Sequence, residues 1–202
     1  MYALVENNEI TKLITYPKSM VIGDVNYPAK IFQLWSQSEL NAIGIYEVIT
    51  DSTNKKDEKW YINTNESYAF ADDTVTRSWG TATPKAHADT LWTAQDETDG
   101  KGTEGEVATR GLKYNLIKDL KSQVSNELAK TDWYITRNTE KSTAIPSAIS
   151  THRDAVRTKQ AEMETAITNA SDTPALETLY TYTTDSDGVQ SRPLGELPTL
   201  EI

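Results

Sequence analysis

Asp72-Asp73, and Asp185 with Asp187, set carboxylates side by side, the arrangement that acid–base work or a bound cation calls for. Both pairs lie in polar, turn-like stretches, where aspartate caps backbone groups. Turn chemistry is therefore their expected role. His152, beside Arg153 and Asp154 early in a helical stretch, has the chemistry of a proton shuttle, but a surface or interfacial place is expected for it. Arg137 and Glu140, a short turn apart beside Trp133, are spaced for a charge-assisted link that pins the segment around them. The alternative role for that pair is contact with a partner protein. Gly100, Gly102, Gly105 and Gly111 do not form a phosphate-cradling GxGxxG, and no GK[ST] follows them. No serine sits in a nucleophile elbow. The chain has no cysteine and two histidines, which excludes thiolate zinc, iron–sulfur clusters, disulfides and a cysteine nucleophile. Neither an enzyme nor a cofactor or metal site is expected.

Composition narrows the partners. Of 202 residues, 20 are Lys or Arg and 30 are Asp or Glu, a formal charge of −10. A general nucleic-acid binder needs a basic face to displace phosphate counterions, so nucleic acid is not an expected partner. The hydrophobic fraction is 37%, and the aromatics are weighted to Tyr (10) and Trp (5) over Phe (2). Such residues favour interfaces, and a core this thin leaves buried surface to be completed against other molecules. The opening MYALVENNEI has neither the basic nor the long apolar region of a signal peptide. No run approaches 18 apolar residues, so membrane insertion is not expected.

The elements that must carry these residues read as α+β: a β-rich N-terminal part with one short helix, a long helical hairpin, and a short β-like C-terminal arm. Residues 1–92 form the β-rich docking domain. Within it, Tyr2-Ala3-Leu4-Val5 and Ile10 to Ile14 read as a hairpin turning at Asn7-Asn8. Ser36 and Glu39 have capping-box spacing, Gly44 suits a left-handed C-cap, and Ile45 to Ile49 follow as a strand. Lys59 to Ile62 and Tyr68 to Phe70 read as a second hairpin, and Thr74 to Trp79 alternate as a further strand. Residues 93–105, rich in glycine and acids, read as a solvated linker.

Residues 106–171 read as the helical hairpin. Leu112, Leu116, Leu120, Val124 and Leu128 recur every four residues. Ile149, Val156 and Met163, with Ile167, mark a second stripe after Pro146. The segment from Asp132 to Ile145 is too long for a simple turn, and its Trp133 and Ile135 are expected to fold back on the helix pair. Residues 172–202 read as a hairpin around Asp187-Gly188, then an extended arm ending Leu200-Glu201-Ile202.

One stretch resembles a known pattern. Leu128-Ala129-Lys130-Thr131-Asp132-Trp133, then Arg137, Glu140, Ile145-Pro146 and His152-Arg153 to Arg157, is similar in order and spacing to a pattern recurrent in tail proteins of tailed bacteriophages. The opening residues and Trp35 to Val48 look like the front end of the same group. Lys141-Ser142 stands where a Glu-Thr-Gly or Glu-x-Gly turn is usual, and His152 replaces a common tyrosine. The region after Pro174 has no counterpart.

The resemblance implies a structural, non-catalytic component of a phage tail, at the baseplate or fibre attachment. Such a protein is made in the host cytoplasm, resides in the virion and acts by binding other tail proteins. The alternative it permits is a tail-fibre assembly chaperone absent from the finished particle. The partner-binding or oligomerisation residues expected are Leu112, Leu116, Leu120, Val124, Leu128, Trp133, Arg137, Glu140, Ile149, Val156, Met163 and Ile167. The helical stripes would seal between copies in a homo-oligomer such as a trimer.

Overall fold

The structure, a computed structural model, describes residues 1–200. The last two residues of the expected apolar arm, Glu201 and Ile202, lie outside the described residues. The architecture is mixed α+β, and the chain divides into two compact units, Met1–Thr83 and the chain from Pro84 onward.

The first unit contains β1 (Tyr2–Glu6), β2 (Glu9–Ile14), β3 (Met20–Ile22), β4 (Val25–Tyr27), α1 (Ile31–Leu34), α2 (Gln37–Ala42), β5 (Ile45–Thr50), β6 (Tyr61–Ile62), β7 (Ser67–Ala71) and β8 (Thr74–Ser78). A short strand, β9 (Thr83–Pro84), spans the boundary. Asn7 and Asn8 take positive φ, 53° and 65°, so a tight turn joins β1 to β2. Ser36 and Glu39 close a reciprocal capping box on α2. Gly44 (φ +84°) then passes so close to β1 that a side chain would put Cβ 2.6 Å from the Val5 carbonyl oxygen.

Five strands form one sheet in the order β2-β1-β5-β8-β7, with β5 and β8 parallel and the other pairs antiparallel. Its edge strands β2 and β7 approach each other, so the sheet curls. Alternation along β1 sends Leu4 to one core, with Ile14, Met20, Ile31, Leu40 and Ile45. Ala3 and Val5 go to another, with Val75.

The second hairpin differs from its expected form. The partner of β7 is β8, not residues 59–62, and the turn between them is Asp72-Asp73, with φ of 49° and 53°. The aspartates thus serve as the left-handed residues of a tight turn.

The second unit contains β10 (Thr90–Leu91), α3 (Ala94–Thr98), β11 (Val107–Thr109), α4 (Leu112–Ala129), α5 (Asp132–Lys141), α6 (Ser147–Asn169), α7 (Thr173–Tyr180), β12 (Thr183–Thr184) and β13 (Gln190–Ser191). The expected linker 93–105 is not structureless. Thr93 and Asp96 make a capping box that starts α3, and β10 pairs with β11 around it. Two further helices depart from expectation. The inter-helix segment is itself helical, as α5. It ends at Ser142, whose φ of 53° is left-handed, where the resembling pattern carries glycine. After α6, Asp172 accepts from the Ala175 N–H (2.8 Å) and Pro174 occupies the first turn, so a further helix, α7, opens the stretch that was read as a hairpin and extended arm. The β12–β13 hairpin turns at Asp187-Gly188 as expected.

The helices α4 and α6 run antiparallel. Lys113 at the start of α4 donates to Thr168 O at the end of α6 (2.8 Å), Lys121 meets Glu164, and Glu127 meets His152. Among the described residues no helix is long and apolar enough to cross a membrane.

Candidate functional site

The α4–α6 pair carries the first group of expected interface residues, and it hides them. Leu116, Leu120 and Val124 of α4 are buried, as are Ile149, Val156, Met163 and Ile167 of α6; Leu112 and Leu128, at the two ends of the α4 stripe, are half-buried. The stripes were expected to seal between copies, but the chain covers them itself. Val156 and Ile167 have no accessible surface, so a second copy has nothing left to grip there.

His152 lies on the same stripe, three residues beyond Ile149 and four before Val156. It is 7% exposed, not the surface or interfacial residue expected. Its Nε2 lies 3.3 Å from Glu127 Oε1, at ion-pair distance but without hydrogen-bond alignment. Glu127 also accepts a hydrogen bond from Lys130 Nζ. That bond holds the Glu127 carboxyl below its ordinary range, against an opposite push from burial.

Arg153, 9% exposed, is the most connected side chain of this corner. Its Nη1 donates to Leu128 O (2.8 Å), Thr131 Oγ1 (2.7 Å) and Asp132 Oδ1 (2.8 Å). Leu128 O is among the last carbonyls of α4, the negative end of its dipole, and Asp132 stands in the first turn of α5. A cation is well placed between them.

Beyond that corner, α5 carries the second group of expected interface residues on a helix with no buried residue. Trp133 is 51% exposed and Ile135 38%, so neither folds back on the helix pair as expected. Trp133 and Tyr134 stack with ring centroids 3.8 Å apart, and the Arg137 guanidinium lies 4.6 Å from the first ring and 5.4 Å from the second. Arg137 is therefore held by rings, and among the ion pairs of the described residues the expected link to Glu140 does not occur; Glu140 is exposed. Arg137 Nε is buried without a hydrogen-bond partner. An exposed tryptophan, a tyrosine and an arginine on one short helix are the residue types enriched where proteins bind each other.

The aspartates with acid–base spacing serve turns, the first pair through its left-handed main chain and the second through a side chain. Asp72 and Asp73 make the β7–β8 turn, and Asp185 Oδ1 accepts from the N–H groups of Asp187 (2.9 Å) and Val189 (2.8 Å). Asp73 also borders a recess with Glu47, but its volume is ≈ 140 Å³, below the ~300 Å³ at which small-molecule pockets begin. A larger cavity, ≈ 330 Å³, is bordered by Glu127, Lys130, Met163, Arg192 and Glu196. Its charges already pair with each other, Glu127 with Lys130 and Arg192 with Glu196. Among the described residues no group of three or more His, Asp or Glu is placed to hold a metal ion.

Signals for what was missed were present. Thr93 to Asp96 has capping-box spacing, and Asp172 to Pro174 has the form of a helix start. Comparison with protein-family models, with curated proteins and with solved structures returns no match for this chain.

Proposed function

We propose that this protein is a structural, non-catalytic component of a bacteriophage tail that works by binding other tail proteins, with α5 as a docking element. One observation carries the binding half of this reading: α5 sets Trp133 half in solvent, stacked on Tyr134 and Arg137, on a helix without a buried residue. A surface helix normally buries one face. The tail assignment is supported by the order and spacing of Thr131-Asp132-Trp133, Arg137, Glu140 and Ile145-Pro146, all in or beside that helix. Exposed apolar side chains of the first unit, Val21, Leu34 and Ile49 among them, offer further contact area to neighbours.

The second reading is a tail-fibre assembly chaperone. The net charge of −10 favours it, because a highly charged, soluble surface suits a binder that must let go. Quantitative mass spectrometry of purified particles of the encoding virus separates the two. Stoichiometric presence supports the tail component. Presence during assembly and absence from the particle supports the chaperone. Absence from both would overturn the tail assignment.

A further inference from the structure

Ten residues of helix with no buried side chain do not hold themselves together in water, because nucleation is costly and each added turn contributes little. Half-buried Tyr134, Arg137 and Asn138 give α5 little cover, so its order draws heavily on its ends. Its C-terminal end closes locally: Ser142 N–H donates to Asn138 O (2.8 Å), and Asn138 Nδ2 donates to Thr143 O (2.9 Å). Its N-terminal end is held from another helix. Thr131, 1% exposed, precedes α5 and donates its hydroxyl to Leu128 O (3.0 Å). Arg153 of α6 then reaches Leu128 O, Thr131 Oγ1 and Asp132 Oδ1 with one nitrogen. One guanidinium thus closes the end of α4, the two-residue corner and the first turn of α5. The one charge on α5 that it meets, Asp132, sits where a helix favours an anion.

We propose that Arg153 is the positioning residue for α5: it keeps that helix wound and fixes the direction in which Trp133, Tyr134 and Arg137 are presented. The α4–α6 pair does not depend on it in the same way, since seven buried side chains from Leu116 to Ile167 hold that pair together. α5 is accordingly a separately opening element, latched from α6. That the latch governs partner binding rests on the docking reading above; that it governs the winding of α5 does not.

Hydrogen exchange of the full chain, read by mass spectrometry, tests this without any partner. Removing a buried charged donor shared by three acceptors should speed exchange of amides 134–142 in Arg153→Met by about tenfold or more. Amides in the middle of α4 and α6 should stay near their wild-type rates. Asp132→Asn, which weakens one of the three contacts, should fall in between, and Arg153→Lys, which keeps a charge and its donors, should recover part of the protection. Val156→Ala serves as the comparison, because it opens the α4–α6 core at a side chain that makes none of the corner's hydrogen bonds. The proposal fails if Arg153→Met leaves α5 exchange unchanged, or if it accelerates all three helices together in the manner of Val156→Ala. Should Arg153→Met not fold, Asp132→Asn and Thr131→Val carry the same test with the same two outcomes.

Discussion

Ser142 is a non-glycine residue at φ 53° that ends α5, and a side chain there costs about 1 kcal/mol relative to glycine. Ser142→Gly should therefore slow exchange of the α5 amides and leave α4 and α6 unaffected. Faster exchange would mean the added freedom of the unfolded chain outweighs the relieved strain. Asp96 offers a second check at this scale. Hydrogen bonds from the Thr93 hydroxyl and Lys101, then from the Thr93 N–H, lower its pKa from 3.8 to about 2. A carboxyl depressed in the folded chain stabilises it above the unfolded value, and that contribution is lost as pH falls from about 4 through about 2. An NMR titration of the Asp96 carboxyl carbon should show a midpoint near 2, with the α3 capping box opening over the same range. A midpoint at the ordinary aspartate value would show that the box does not hold the anion.

Among the elements, α5 and the α4–α6 pair should respond differently to the same kind of truncation. Trp133→Ala removes a half-exposed ring, so its effect on stability should stay within about 0.5 kcal/mol. Its effect should appear in assembly: particles complemented with Trp133→Ala should contain less of the protein, or assemble fewer tails, than those carrying wild type. Equal incorporation and full infectivity would remove α5 as the docking element. Ile167→Ala empties a site with no accessible surface and should cost about 2–5 kcal/mol.

For the whole molecule, what covers the helical stripes decides how stability depends on concentration. If copies covered one another's stripes, the melting temperature would rise with protein concentration by mass action. With Leu116, Val124, Val156 and Ile167 buried within one chain, the melting of the helical unit should be independent of concentration. The destabilisation by Ile167→Ala should be independent of it as well. Calorimetry over a hundredfold dilution checks this, and a concentration-dependent midpoint would return the stripes to an intermolecular role. The thin core expected from composition is divided between two compact units, each with its own buried cluster, and division into smaller units lowers the fraction of surface that each can bury.

Much of the local structure was legible from residue types at short spacing. The Asn7-Asn8 turn, the Ser36–Glu39 box, the left-handed Gly44 that follows α2, the Asp187-Gly188 turn and both helical stripes follow from residue types a few positions apart, which neighbouring side chains specify. Other features depended on partners far along the chain. β7 pairs with β8 because the curled sheet places its edge there, although a strand-like run at 59–62 was an equally good candidate in composition. Trp133 to Thr136 look strand-like by propensity, yet they wind into a helix because Arg153, some twenty residues on, closes its first turn. The periodic stripes announced a face in need of cover. A pattern of apolar residues does not specify which chain provides that cover, and the folded α4–α6 pair assigned it to the chain itself.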